Sequence, residues 1–259
     1  MTNNKKLLII FGVIFAIIVG VFVFWLLADP FAQKTDEAVK AQPTKIIKKL
    51  EMSEEDFPVI SMALKNNDHY VDLTIDKIPV FISDIEFEFL YNSVDENGQE
   101  FQKGQFDNFE VEEDKVEKEI LLGTSSCTTG TCKYRYDENI SSGKLILKLM
   151  DVEGKVASFD IPFLVVKEDE DASFSELEGS SSSLTLTNPN SSNLILHETL
   201  GYYERPNQNS FAGPYQISSA STLLPLTYSG QDNLYIFEDN EWTLSNDIPL
   251  NTPFILIGE

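Results

Sequence analysis

Leu7 to Ala28 (LLIIFGVIFAIIVGVFVFWLLA) runs for 22 residues without a charged or amide side chain. At ~1.5 Å per helical residue it reaches roughly 33 Å, enough to cross a hydrocarbon layer of about 30 Å. Exposed to water, such a run is costly, and no other stretch of the chain has the apolar bulk to bury it. It exceeds the usual h-region of a cleaved leader and ends in Trp25-Leu26-Leu27, which lacks a small-x-small cleavage pattern. No Cys follows it to carry a lipid. The run therefore predicts an uncleaved transmembrane helix over 7–28.

Its flanks give the orientation. Lys5 and Lys6 precede the span and Asp29 follows it. The positive-inside rule makes 1–6 a cytoplasmic tail and sends the rest of the chain outside, with Trp25 near the outer boundary. The expected localisation is a single-pass membrane protein with its C-terminal mass extracytoplasmic, and the lipid bilayer is its first partner. With 19 Lys+Arg against 42 Asp+Glu, the net charge is −23, which excludes nucleic acid as a partner because phosphate must be neutralised by bases.

Residues 29–66 read as a stalk. Lys34, Lys40, Lys45, Lys48 and Lys49 lie along it, and Ser53-Glu54-Glu55-Asp56 looks like a helix start that Pro58 cuts short. From Tyr70 the apolar period becomes two. Val71, Leu73 and Ile75 alternate with Asp72, Thr74 and Asp76, and Phe87, Phe89 and Tyr91 alternate with Glu86 and Glu88. Further alternating runs occur at Leu145, Leu147 and Leu149 and at Phe159, Ile161, Phe163 and Val165. Such periodicity belongs to half-buried strands. Asn97-Gly98 predicts a type I′ hairpin.

The expected class is all-β, with a sandwich over 67–167. An acidic and Ser-rich linker follows at 168–183, and a small all-β, barrel-like domain at 184–259. In that last unit strands are expected at 193–203, 222–227, 233–237, 241–244 and 254–257, with Glu238-Asp239-Asn240 as a tight turn.

Two resemblances accompany this layout. Leu147–Val166 (LKLMDVEGKVASFDIPFLVV) resembles the closing hairpin of immunoglobulin-like repeats on microbial surface proteins. That likeness implies an Ig-like spacer or adhesion module and assigns no functional residue. The order YYERPNQNS, LLPLTYSG, NLYIFEDNEWTL in 202–244 is similar to bacterial SH3-type domains, which implies a small barrel with a Trp-bearing hairpin.

Few residues carry chemistry. Cys127 and Cys132 flank Thr-Thr-Gly-Thr and, in an oxidising compartment, are expected to staple a turn between strands 116–122 and 133–136. In an alternative reading, Thr131-Cys132, His69 and Arg135 resemble the residue types of a sortase. That likeness implies a Cys132 nucleophile, His69 as proton donor and Arg135 at the oxyanion, although Thr128-Thr129-Gly130 replaces the family's Thr-Leu-x. A third reading is an accessory subunit of a membrane complex. His197-Glu198 lacks the second His of a zincin, and neither a Gly-x-Ser-x-Gly elbow nor a phosphate loop occurs. Asp95-Glu96-Asn97 and Glu168–Asp171 offer oxygens to calcium without the EF-hand pattern, so no metal or cofactor is expected.

The aromatics Tyr202, Tyr203, Tyr215 and Trp242 are the candidate ligand-binding residues, able to stack on a glycan or grip a peptide or protein. The competing reading puts such rings in the core of a small barrel, where Tyr235 and Phe237 are expected on the inner face.

Overall fold

A computed structural model describes residues 48–65, 68–95, 97–128, 130–167, 171–173, 185–187, 192–204, 212–218, 226–227 and 233–257. The apolar span 7–28, the tail before it and most of the expected stalk lie outside them. Among the described residues there is no α-helix, and none of their helical structure is long and apolar enough to cross a membrane. The body is all-β.

In chain order the strands begin with β1 (Lys48–Lys49), β2 (Val59–Lys65), β3 (Tyr70–Asp76), β4 (Ile82–Val94), β5 (Glu100–Glu110) and β6 (Val116–Leu121). There follow β7 (Gly123–Thr128), β8 (Thr131–Tyr136), β9 (Ser142–Asp151), β10 (Lys155–Val166), β11 (Asp171–Ser173), β12 (Thr185–Thr187) and β13 (Leu194–Glu198). The last are β14 (Ala212–Ser218), β15 (Leu226–Thr227), β16 (Asn233–Glu238), β17 (Glu241–Ser245), β18 (Asp247–Ile248) and β19 (Pro253–Ile257).

A ten-stranded sheet runs β17-β16-β19-β14-β13-β10-β9-β4-β5, with β1 beside β10 in parallel. A three-stranded sheet, β2-β3-β6, lies over part of it. The first core is built between these layers. Ile60, Met62, Leu64, Val71, Leu73, Ile75 and Ile120 come from the smaller sheet, and Phe87, Phe89, Leu145, Leu147, Ile161 and Phe163 from the larger. The alternation in β3, β4 and β9 reappears as burial of every second residue.

The second core gathers Val166, Leu194, Leu196, Tyr215, Ile217, Leu234, Ile236, Phe254 and Leu256. Its side chains lie on the opposite face of the large sheet. In β13, Ile195 joins the first core while Leu194 and Leu196 join the second. Leu-Ile-Leu-His is buried on both faces there, which is why the strand reads as an unbroken apolar run.

Three expectations change. Part of the expected stalk is a core strand, because Val59, Ile60, Met62 and Leu64 of β2 are buried. The boundary expected at 168–183 is bridged: β10 pairs with β13 from Phe163↔His197 to Val166↔Leu194, and residues 47–259 form one compact unit. Within the acidic stretch, β11 forms and pairs with β12, which lies just beyond its end. Long-range pairing ties together segments that composition separates.

The Asn97-Gly98 turn also differs from type I′. Gly98 N–H donates to Asp95 O, the Asp95 carboxylate accepts the amides of Asn97 and Gln99, and Gly98 takes φ 78°. Asp151-Val-Glu-Gly154 repeats this plan, with Asp151 accepting from Glu153 and Lys155 and Gly154 at φ 76°. Both are the longer hairpin loop that ends on a left-handed glycine, each tied down by an Asp side chain. The amides on the Asp95 carboxylate hold its pKa below the ordinary value, the Gln99 N–H most of all.

Gly143 in β9 sits between Tyr91 and Phe163, whose ring stacks on Phe89 at 4.9 Å. A Cβ at Gly143 would meet Phe163 Cζ at 2.5 Å and the Leu90 carbonyl closer still. Gly143→Ala is therefore expected to cost about 1–3 kcal/mol by overpacking, read as a lower urea midpoint with an unchanged slope.

Candidate functional site

The four candidate aromatics separate in the fold. Tyr215 is 3% exposed and packs its ring 5.7 Å from Phe254 in the second core. Tyr202 is 8% exposed and also belongs to the interior. Tyr203 and Trp242 meet at the surface through a residue not counted among the candidates, Phe237. The Tyr203 and Phe237 rings are near-parallel at 5.9 Å, and Phe237 to Trp242 is 5.2 Å.

Local sequence explains this meeting. Asp239 and Asn240 both take positive φ, 52° and 65°, so β16 and β17 are joined by a two-residue turn. That turn sets Phe237 opposite Trp242 and Tyr235 opposite Leu244. Leu234 and Ile236 are the inward residues of β16, so the expectation that Tyr235 and Phe237 face the core is corrected. The error has a simple origin, since all of Leu-Tyr-Ile-Phe is apolar and alternation there carries no face information. The Asp-Asn turn was the signal that could have found Phe237.

The segment carrying Tyr203 is held from both ends. Tyr203 OH donates to Asp76 Oδ2 at 3.0 Å, and Lys77 Nζ donates to the carbonyls of Tyr202 and Tyr203 at 2.9 and 3.2 Å. Trp242 Nε1 donates to Glu204 O at 2.8 Å. Burial, together with the bond to Asp76, pushes the Tyr203 phenol up to about 12. The site is thus a pinned aromatic surface with Tyr203 still 44% exposed, and Leu244 extends its apolar area along the edge strand. Exposed Glu204, Glu238, Asp239 and Glu241 rim it with negative charge.

The disulfide forms as expected, with Cys127 and Cys132 directly opposed and an S–S distance of 2.02 Å. It closes the hairpin of β7 and β8, so the partner of the strand at 133–136 is β7 and not the expected strand at 116–122. Its formation consumes the Cys132 thiol that the sortase-like reading needs. Cys132 and Arg135 differ in parity along β8 and point to opposite faces. His69 stacks on Tyr136 at 3.7 Å, with ring planes 2° apart. The three residues build no catalytic array.

A groove of about 670 Å³ on the outer sheet face is lined in part by Asp84, Glu86, Lys148 and Met150, and its Lys148 is bonded to Glu86. Among the described residues no cluster of three His, Cys, Asp or Glu could hold a metal ion. The Asp95 carboxylate is engaged by turn amides, and Glu168–Glu170 of the other calcium candidate lie outside the described residues.

His197, which sequence reading considers only as half of an incomplete zincin pair, is fully buried in β13. Its Nε2 accepts the Met62 N–H at 3.2 Å, and its Nδ1 lies 3.2 Å from Glu198 O. Beside it, Thr199 Oγ1 accepts the Ile60 N–H at 2.7 Å. These side chains satisfy the Ile60 and Met62 amides on the outer edge of β2, which pairs with β3 on its other side. Burial lowers the His197 pKa to about 4, so the ring is neutral at neutral pH.

No family model matches the chain, and comparisons with curated proteins and with solved structures likewise give no match.

Proposed function

We propose that this is a membrane-tethered, extracytoplasmic binding protein. The span 7–28 anchors it with residues 1–6 in the cytoplasm, and its β-rich body displays the Tyr203–Phe237–Trp242 surface. The two-layered half is read as the immunoglobulin-like spacer. The C-terminal half, with its Trp-bearing hairpin, is read as the SH3-like binding part. A disulfide in the body fits an oxidising compartment.

The observation that carries this reading is the pinned, partly exposed ring cluster. Hydrogen bonds to Asp76 and Glu204 hold Tyr203 and Trp242 in place on either side of Phe237, while Tyr203 keeps a face open to solvent. A fixed aromatic face stacks on a sugar ring or an apolar peptide side chain at small entropic cost. The acidic rim selects for neutral or cationic ligands and against polyanions.

The test is an array of neutral glycans, acidic glycans, and neutral, basic and acidic peptides, probed with the full chain in detergent. Neutral glycans or neutral-to-basic peptides are expected to bind, and Trp242→Ala or Tyr203→Ala to weaken them at least about tenfold, the loss of one stacked ring. Binding confined to acidic ligands, or unchanged in both variants, contradicts the proposal.

A further inference from the structure

The strand β5 ends the ten-stranded sheet, and no strand pairs with its outer side among the described residues. It is 11 residues long, contains no Pro, and pairs with β4 without a register shift. Natural edge strands of this length are commonly broken by Pro, a bulge or a covering element.

The backbone polarity of this edge follows from the ladder. Val111 N–H donates to Ser83 O and Asp95 N–H to Gln99 O, at the two ends of an unbroken antiparallel register. Odd-numbered residues of β5 therefore bond to β4. Glu100, Gln102, Gly104, Phe106, Asn108 and Glu110 turn their N–H and C=O outward.

We propose that two copies of this chain join through β5, antiparallel and centred on Gln105. The sequence EFQKGQFDNFE is close to palindromic about that residue. In this register Phe101 faces Phe109 of the second copy, Lys103 faces Asp107, and Gln102 faces Asn108. Shifting the centre by one residue either way removes the Lys–Asp match.

Lys103 already binds Asp137 at 2.5 Å, and Asp107 binds Lys118 at 3.2 Å. Pairing brings these into a row of alternating charge: Asp137, Lys103, then Asp107 and Lys118 of the second copy. These odd pairs occupy the non-hydrogen-bonded sites, where side chains approach most closely.

Phe106 is 61% exposed, and in the pair it faces Gly104 of the second copy. An aromatic ring laid across a glycine restores the contacts that residue lacks. Leu90 reaches over Gly104 and would floor that ring. Glu100 opposite Glu110 is the unfavourable pair, and it falls at the ends of the ladder. The contact is self-complementary, as a two-fold interface requires.

The test uses the full chain in its membrane with Gln105→Cys. Cys127 and Cys132 are already joined, so the new thiol does not compete with them. Two Cys at a non-hydrogen-bonded antiparallel pair stand roughly 4.5 Å apart at Cα, close enough for a disulfide. On treatment with diamide, Gln105→Cys is expected to run mainly at twice the monomer mass. Gln102→Cys is expected to remain monomeric, because its counterpart in the second copy lies roughly 20 Å along the strand. Adding Phe106→Pro removes an outward N–H without touching the β4 ladder and is expected to abolish the cross-link. Equal cross-linking of Gln105→Cys and Gln102→Cys, or none in either, overturns the proposal.

Discussion

A fragment comprising residues 184–259 is expected to be unfolded in isolation, although sequence reading treats it as a separate domain. Its strand β13 lies in the middle of the large sheet, paired with β10 on one edge and β14 on the other. Cutting at 184 strips away the whole β10 ladder and exposes Ile195 and His197, which β2 and its neighbours otherwise cover. It also removes Leu164 and Val166 from the second core. A unit this small has little stability to spare even with its core intact, and one stripped edge and face exceed that margin. Amide NMR dispersion checks this directly. Collapsed, poorly dispersed signals are expected from the fragment, against dispersed signals and one cooperative urea transition from 47–259. A well-dispersed spectrum from 184–259 would show that the shared sheet is dispensable.

His197 should make stability depend on pH between about 6.5 and 4. Unfolded, its imidazole titrates near 6.5, whereas burial holds the folded value near 4. Below 6.5 the unfolded chain gains a proton that the folded chain refuses. Stability therefore falls with pH through this window, and the loss is complete below about 4. At ~1.36 kcal/mol per unit the full effect is about 3 kcal/mol. The neighbouring Glu198, raised by burial, acts in the opposite sense, so the comparison must isolate the imidazole.

His197→Gln is the variant for that purpose, since its amide oxygen can still accept the Met62 N–H. Urea unfolding at several pH values should show a shallower loss on acidification in this variant than in the parent. Equal slopes would contradict a buried neutral His197. His197→Ala, which orphans the Met62 amide and leaves a cavity, is expected to cost about 3–5 kcal/mol at pH 7.

These two cases show which parts of the fold are legible in the chain. Val71, Leu73 and Ile75, or Leu145, Leu147 and Leu149, betray their strands because one face meets water and the other the core. β2 is harder to read, since Val59 and Ala63 interrupt the polar face beside Ile60, Met62 and Leu64. The β10–β13 pairing leaves no local trace, because it closes across a stretch whose acidity and Ser content signal a linker. Of the site, Tyr203 and Trp242 are legible as aromatics. Their meeting depends on a two-residue turn and on contacts from Asp76 and Lys77, more than a hundred residues away. His197 carries no signal of its role, which exists only because Met62 of a distant strand presents an amide to it.

Tethered display with the body outside is tested most directly by labelling intact cells with a membrane-impermeant amine-reactive biotin. The membranes are then washed in alkaline carbonate and the labelled lysines mapped by mass spectrometry. The expected result is a full-length chain in the membrane pellet, biotinylated at body lysines such as Lys144 and Lys155 and unmodified at Lys5 and Lys6. A chain released by carbonate, or labelled at Lys144 and Lys155 only after lysis, would contradict the account.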